Sequence, residues 1–124
     1  MNAQAMLEWC RTRPGVTEET PFGPDTLVFK VAGRMFAATQ VGEPTTVSLK
    51  CDPQFAEQLR AEHPAIAPGY HMSKRHWNTI RLDGELPPGL LEELLGHSYT
   101  LVVDGLPRSV RETLRAQAVE GGDR

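Results

Sequence analysis

Apolar positions along the chain follow two periods, and the changes between them mark out the elements. Met6, Leu7 and Cys10 fall at three- and four-residue spacing behind Asn2, a side chain suited to cap a helix, and Pro14-Gly15 ends that helix. Leu27 to Val31 is a short apolar run that reads as a buried strand, Ala32-Gly33 turns the chain, and Arg34 to Gln40 reads as the partner strand of a hairpin. From Thr46 to Cys51 the alternation is strict, with Val47, Leu49 and Cys51 on one face and Thr46, Ser48 and Lys50 on the other. Asp52-Pro53 supplies an N-cap followed by proline at the first helical position. A helix therefore spans Gln54 to His63, with Phe55, Ala56 and Leu59 inward and Pro64 as its stop.

Trp77 to Leu82 alternates again, with Asn78, Ile80 and Leu82 inward and Trp77, Thr79 and Arg81 outward, until Asp83-Gly84. Pro87-Pro88 opens a longer helix in which Leu91, Leu94, Leu95, Ser98, Leu101 and Val102 form a buried stripe, closed by Gly105 and Pro107. A weaker amphipathic stretch carries Val110, Leu114 and Ala118, and the end from Glu120 to Arg124 is expected to fray. Two segments show no period: Glu18 to Asp25, rich in turn residues, and Ala65 to Ser73, broken by Pro68-Gly69. Helix, three strands, helix, irregular stretch, strand and helix imply an α+β fold of two layers, an antiparallel sheet with helices packed on one face.

Composition adds limits to that picture. At 124 residues with 40% hydrophobic and 23% charged side chains, the chain has material for one folded domain. It has no apolar run long enough to cross a bilayer, and its first thirteen residues lack a secretory pattern. Cys10 and Cys51 are too few and too scattered for a disulfide scaffold or a CxxC motif, so they read as buried thiols of a cytoplasmic protein.

Charge points to one region. The net charge of −3 argues against a strongly basic, tight nucleic-acid binder. Yet no acidic residue lies between Glu62 and Asp83, where Lys74, Arg75, Arg81, His63, His71 and His76 cluster. The run His71-Met72-Ser73-Lys74-Arg75-His76-Trp77 interleaves cations, imidazoles and an aromatic ring, a mixture suited to phosphates and to stacking on a base. It equally fits a solvated turn with Trp77 at the edge of the core. Lys50, with Thr46 and Ser48, and Arg81, with Thr79 and Trp77, would form one polar, cationic sheet face if their strands are neighbours. The competing view is an ordinary solvated face.

Other candidates are weaker. Tyr70 and Tyr99 either line a small-ligand pocket or pack with their hydroxyls at the surface. Cys51, at a helix start, invites a nucleophile reading with His71 as base, whereas its inward phase favours an inert thiol. The five-residue gap from His71 to His76 suits neither one helix face nor one strand face, so no metal site is expected, and no nucleophile elbow, P-loop, dinucleotide fingerprint or HExxH motif occurs. Arg108, Arg111 and Arg115 read as a solvated face with Glu112 between them.

Four stretches together carry a family resemblance: Pro21 to Val31 (PFGPDTLVFKV), Leu49 to Pro53 (LKCDP), Pro68 to Thr79 (PGYHMSKRHWNT) and His97-Ser98-Tyr99. They resemble the MmcQ/YjbR family, over about Met6 to Pro107. The resemblance implies a CyaY-like fold and DNA binding, and it brings no catalytic residues. Iron binding of the kind a CyaY-like fold suggests is disfavoured, because the first helix offers only Glu8 with Glu18 and Glu19 beyond its end. On this reading residues 1–107 form one domain and residues 108–124 a part-helical tail. The expected function is a small cytoplasmic binding module that contacts DNA, with salt-dependent affinity, through Lys50, His71, Lys74, Arg75, His76, Trp77 and Arg81. It needs no cofactor, no metal and no catalytic residue. The alternative is a domain for a small anionic ligand or a protein partner.

Overall fold

A computed structural model describes residues 1–122, and side chains through Ala118. Four helices and six strands follow one another as α1 (Ala3–Arg11), β1 (Val16–Glu19), β2 (Thr26–Val31), β3 (Arg34–Gln40), β4 (Thr46–Lys50), α2 (Pro53–Glu62), β5 (Ile66–Pro68), β6 (Trp77–Arg81), α3 (Leu90–Asp104) and α4 (Arg108–Gly122). The strands make one antiparallel sheet in the order β1-β2-β3-β4-β6-β5. The α+β architecture is the one the hydrophobic pattern implies.

Local chemistry accounts for most boundaries. The Asn2 side chain accepts from the Ala5 amide at the start of α1, and Asp52 accepts from Phe55 ahead of Pro53 in α2. Ala32 and Gly33 have φ of 50° and 79°, the paired positive values of a two-residue hairpin turn whose twist matches the strands. Helix α3 begins at Leu90 rather than at Pro87, because Pro87 to Gly89 are taken up in a turn closed by the Leu90 amide on the Pro87 carbonyl. Its buried stripe contains Val103 where the spacing suggests Leu101, which is only half-buried.

Two strands are not announced by any period: β1, which runs into the turn-rich stretch at Glu18, and β5, which lies within Ala65 to Ser73. Strand β1 has one half-buried and three exposed residues, and β5 is three residues long and contains a proline. Both are edge strands, where one side of the backbone needs no ladder partner and no alternation is enforced.

All four helices pack on one face. Met6, Leu7 and Cys10 of α1, Ala56 and Leu59 of α2, the α3 stripe and Leu114 of α4 join Phe29, Phe36, Val47, Leu49 and Ile80 of the sheet in one apolar cluster. Leu114 thus roots the C-terminal segment in the core, while Ala118 is exposed. Helix α4 continues to Gly122, and the fraying expected at Asp123 and Arg124 lies outside the described residues. No helix among the described residues is long and apolar enough to cross a membrane.

Candidate functional site

The face of the sheet turned away from the helices carries the site. Strands β4 and β6 are neighbours, in a register that sets Thr46 against Arg81, Ser48 against Thr79 and Lys50 against Trp77. The row through the middle runs Val28, Ala38, Ser48, Thr79, Ala67 across five strands. These side chains are short, and the face is not uniformly wet and cationic: Val28, Ala38 and Ser48 are buried although no helix covers them. Ala38, Ser48, Thr79 and Ala67 of that row line the floor of an open groove of about 830 Å³. Phe22, in the β1–β2 loop, stands at one wall, and Tyr70, His71 and Met72 stand at the other. Phe22 is 69% and Tyr70 72% exposed, so two large apolar side chains face solvent beside a trough.

The second wall is a loop, residues 69–76, tied down at several points. The Gly69 amide donates to the Trp77 carbonyl at 2.8 Å, and the Tyr70 amide donates to Thr79 Oγ1 at 3.0 Å, which folds the chain over the outer face. Arg60 of α2 reaches across to the Lys74 carbonyl at 2.8 Å and to Asn78 Oδ1 at 3.1 Å. The Cys51 amide donates to the His76 carbonyl at 2.8 Å. His71 holds φ of 57°, unusual for a residue with a side chain, and its ring lies 3.9 Å from that of Tyr70.

The cations expected to meet a ligand are not all in one place. Lys74 and Arg75 are exposed on the loop, and Lys50 lies half-buried beside Trp77 on the outer face. Among the described residues none of the three is ion-paired. His76 is exposed on the same loop, and Trp77 is half-buried under Gly69. Arg81 stands apart, about 13 Å from Lys50 along the strands, at four residues of roughly 3.3 Å each. Its guanidinium pairs with Asp83 at 3.3 Å in a separate depression that Glu62 and Glu85 also line. Six of the seven candidates thus gather at one end of the sheet, and Arg81 lies among carboxylates at the other.

Phe22, Arg60 and Gly69 belong to this site and follow no period that assigns them to it. Phe22 and Gly69 do lie in two of the runs that carry the family resemblance, and Phe22 is also a large apolar residue inside a turn-rich stretch, where burial has no obvious purpose. Tyr99 is separate from the groove. It lies on the helical side, its hydroxyl donates to the Pro14 carbonyl at 2.6 Å, and its ring meets Phe36 edge-on.

Cys51 and His71 do not meet, because the thiol belongs to the core cluster and the imidazole to the outer-face groove. Burial, with Asp52 adding to it, pushes the Cys51 thiol up to about 11, and burial pushes Cys10 up to about 12. A thiol with its pKa so raised is a poor nucleophile. Both should resist iodoacetamide at about pH 8 in the folded protein and react once urea unfolds it, as read by mass spectrometry. Because an unfolded thiol ionises near 9 and these do not, their contribution to stability is intact below that pH and fades as pH rises towards 11 and 12. No group of three or more potential metal ligands occurs among the described residues.

Comparison with known proteins fits this geometry. A family model described as YjbR matches residues 11–101, which include the groove floor, Phe22 and the whole of the 69–76 loop. The chain belongs to the YjbR family. It is 34% identical over 115 residues to YjbR of Escherichia coli K12, covering 92% of this chain and 98% of that protein. It is 38% identical over 96 residues to YbdF of Escherichia coli O157:H7, covering 77% of this chain and 79% of that one. Among solved structures, DR2400 of Deinococcus radiodurans, a DUF419 domain, superposes with a TM-score of 0.82 at 43% identity, covering 91% of this chain and 87% of that one. The YjbR match ends within α3, so α4, although its Leu114 joins the core, lies beyond it.

Proposed function

We propose that this YjbR-family protein binds single-stranded nucleic acid on the outer face of its sheet and acts in the cytoplasm, where free cysteines such as Cys10 and Cys51 persist. One observation carries the reading: a groove lined by two exposed aromatic rings takes one wall from a loop that also carries cations with no ion-pair partner among the described residues and has no carboxylate. Phe22, Tyr70 and His71 offer faces on which bases stack, and Lys50, Lys74 and Arg75 offer charge to the phosphates between them. An unpaired base offers its face to such rings, whereas a base inside a duplex keeps its faces stacked on its neighbours. The net charge of −3 opposes the approach of a polyanion, so affinity is expected in the micromolar range at physiological salt.

The groove volume also falls within the roughly 300–1,000 Å³ of small-molecule pockets, which keeps a small anionic ligand as the second reading. Fluorescence anisotropy across a salt series separates the two. With three phosphates neutralised, log affinity for a single-stranded oligonucleotide should fall against log salt with a slope of about −2. Replacing Lys74 and Arg75 together by Ala should reduce that slope by about 1.4. Saturable binding of a mononucleotide as tight as that of the oligonucleotide, with no dependence on length, would assign the groove to the small ligand. No association at 50 mM salt would end the nucleic-acid reading.

A further inference from the structure

We infer that the groove takes the terminal nucleotide of a single strand, and takes it best when that terminus carries a hydroxyl and no phosphate. The inference rests on the nucleic-acid reading above and concerns which part of a strand the groove accepts. Its basis is the unequal charge at the two open ends of the groove. Phe22 and the wall from Tyr70 to Met72 close the sides, and between them the floor runs lengthwise along β3 and β4. On β3 it extends from Met35 to Gln40 and on β4 it includes Ser48 and Thr46. The register of Ala37 with Leu49 and Thr39 with Val47 puts Met35 at the Lys50 end and Gln40 at the Thr46 end, where the Gln40 amide donates to Thr46 Oγ1 at 2.7 Å.

Cations stand at the first of these ends. Lys50 pairs with Trp77, and Lys74 and Arg75 lie on the loop that runs into Trp77. Carboxylates ring the other end, on three separate connections. Asp25 directly precedes Thr26, and its carbonyl accepts from the Val41 amide at 3.0 Å. Glu43 lies in the turn between Gln40 and Thr46, and Asp83 follows Leu82, whose amide donates to the Thr45 carbonyl at 2.9 Å. All three carboxylates are exposed. Asp25 and Glu43 have no ion-pair partner among the described residues, and the Arg81 guanidinium at this end is held by Asp83 at 3.3 Å.

From Lys50 to Thr46 is about 13 Å, at four residues of roughly 3.3 Å, which exceeds the Debye length of about 8 Å at physiological salt. Each end therefore acts on the phosphate nearest to it. A strand threaded through the groove would hold phosphates among the cations and press another against the carboxylates. A strand that stops in the groove keeps the first contacts and leaves an uncharged sugar hydroxyl at the acidic end. Its terminal base stacks at the aromatic rim, and the phosphates behind it reach Lys50, Lys74 and Arg75.

The test uses oligo-dT of about four nucleotides, near the lower limit of single-strand site sizes, so that few alternative registers compete. It is prepared with hydroxyls at both termini, with a phosphate at either one, and with phosphates at both, and each form competes against a labelled strand in an anisotropy assay. On a groove that is merely cationic, added phosphates tighten binding. Here the doubly phosphorylated form should bind about fivefold more weakly than the form with none, because one phosphate must meet the carboxylates. The singly phosphorylated forms then identify which terminus enters. Asp25→Asn with Glu43→Gln changes two exposed side chains and leaves the pair of Arg81 with Asp83 in place, and in this variant the penalty should vanish. Equal or tighter binding of the doubly phosphorylated form by wild type, or a penalty that persists unchanged in the variant, overturns the inference and leaves the nucleic-acid reading standing. Failure of every form and of longer oligo-dT to bind overturns both.

Discussion

Ser98→Ala is expected to destabilise the protein by about 2–5 kcal/mol, from the loss of two buried hydrogen bonds to main-chain groups. Ser98 is fully buried on α3, its hydroxyl donates to the Phe36 carbonyl at 2.5 Å, and its oxygen accepts from the Lys50 amide at 2.9 Å. The sheet explains why both groups depend on one side chain. The β2–β3 register shifts between Phe29 and Lys30, so Met35 and Ala37 have partners and Phe36 is the extra residue of a bulge. The β3–β4 ladder ends at the pair Ala37 and Leu49, one residue before Lys50. The serine therefore closes two main-chain positions that the ladders leave open, in a place that water does not reach. Alanine keeps the helix and removes both bonds, leaving a buried carbonyl and a buried amide at about 1–3 kcal/mol each. Urea melts with a change below about 0.5 kcal/mol, the range of ordinary surface substitutions, would show that the bulge is satisfied some other way. A displaced β4 end would also move Lys50, so the variant links core stability to the candidate site.

The same serine shows what a sequence makes legible. Its place in the buried stripe of α3 follows from three- and four-residue spacing, because a helix that buries one face fixes which positions face inward. Its partners do not follow, since they depend on a bulge that no residue type at Phe29-Lys30 announces. The outward phase of Lys50, Ser48, Trp77 and Thr79 was likewise readable from alternation, and the pairing of β4 with β6 makes them one surface. Arg81 shares that phase and still belongs elsewhere. Phase assigns a side chain to a face but says nothing about position along the strand, and Asp83, two residues on, captures its guanidinium. Strands β1 and β5 left no period because they lie at the sheet edges, and β5 is what positions the loop from Gly69 to His76 as a wall of the groove.

Gly69→Ala should remove that wall. A Cβ at Gly69 would stand 2.6 Å from the Cβ of Trp77 and 3.1 Å from its carbonyl oxygen. Neither atom can rotate away, one being main chain and the other fixed to it, so β5 and β6 must separate at this point. Separation lengthens the bond from the Gly69 amide to the Trp77 carbonyl and then the one from the Tyr70 amide to Thr79, and these two hold the loop on the outer face. Overpacking of this kind costs about 1–3 kcal/mol. The larger effect is expected in binding: with Tyr70 and His71 lifted from the rim, loss of stacking should weaken single-stranded oligonucleotide binding by about tenfold or more. Lys50, Lys74 and Arg75 keep their charges, so the slope of log affinity against log salt should stay close to that of wild type while the whole line drops. The Lys74 and Arg75 double substitution should do the reverse and flatten the line. A Gly69→Ala protein with wild-type melting and wild-type affinity would mean that the loop does not form a wall of the binding groove. A flattened slope would mean instead that the loop contributes mainly by placing its cations.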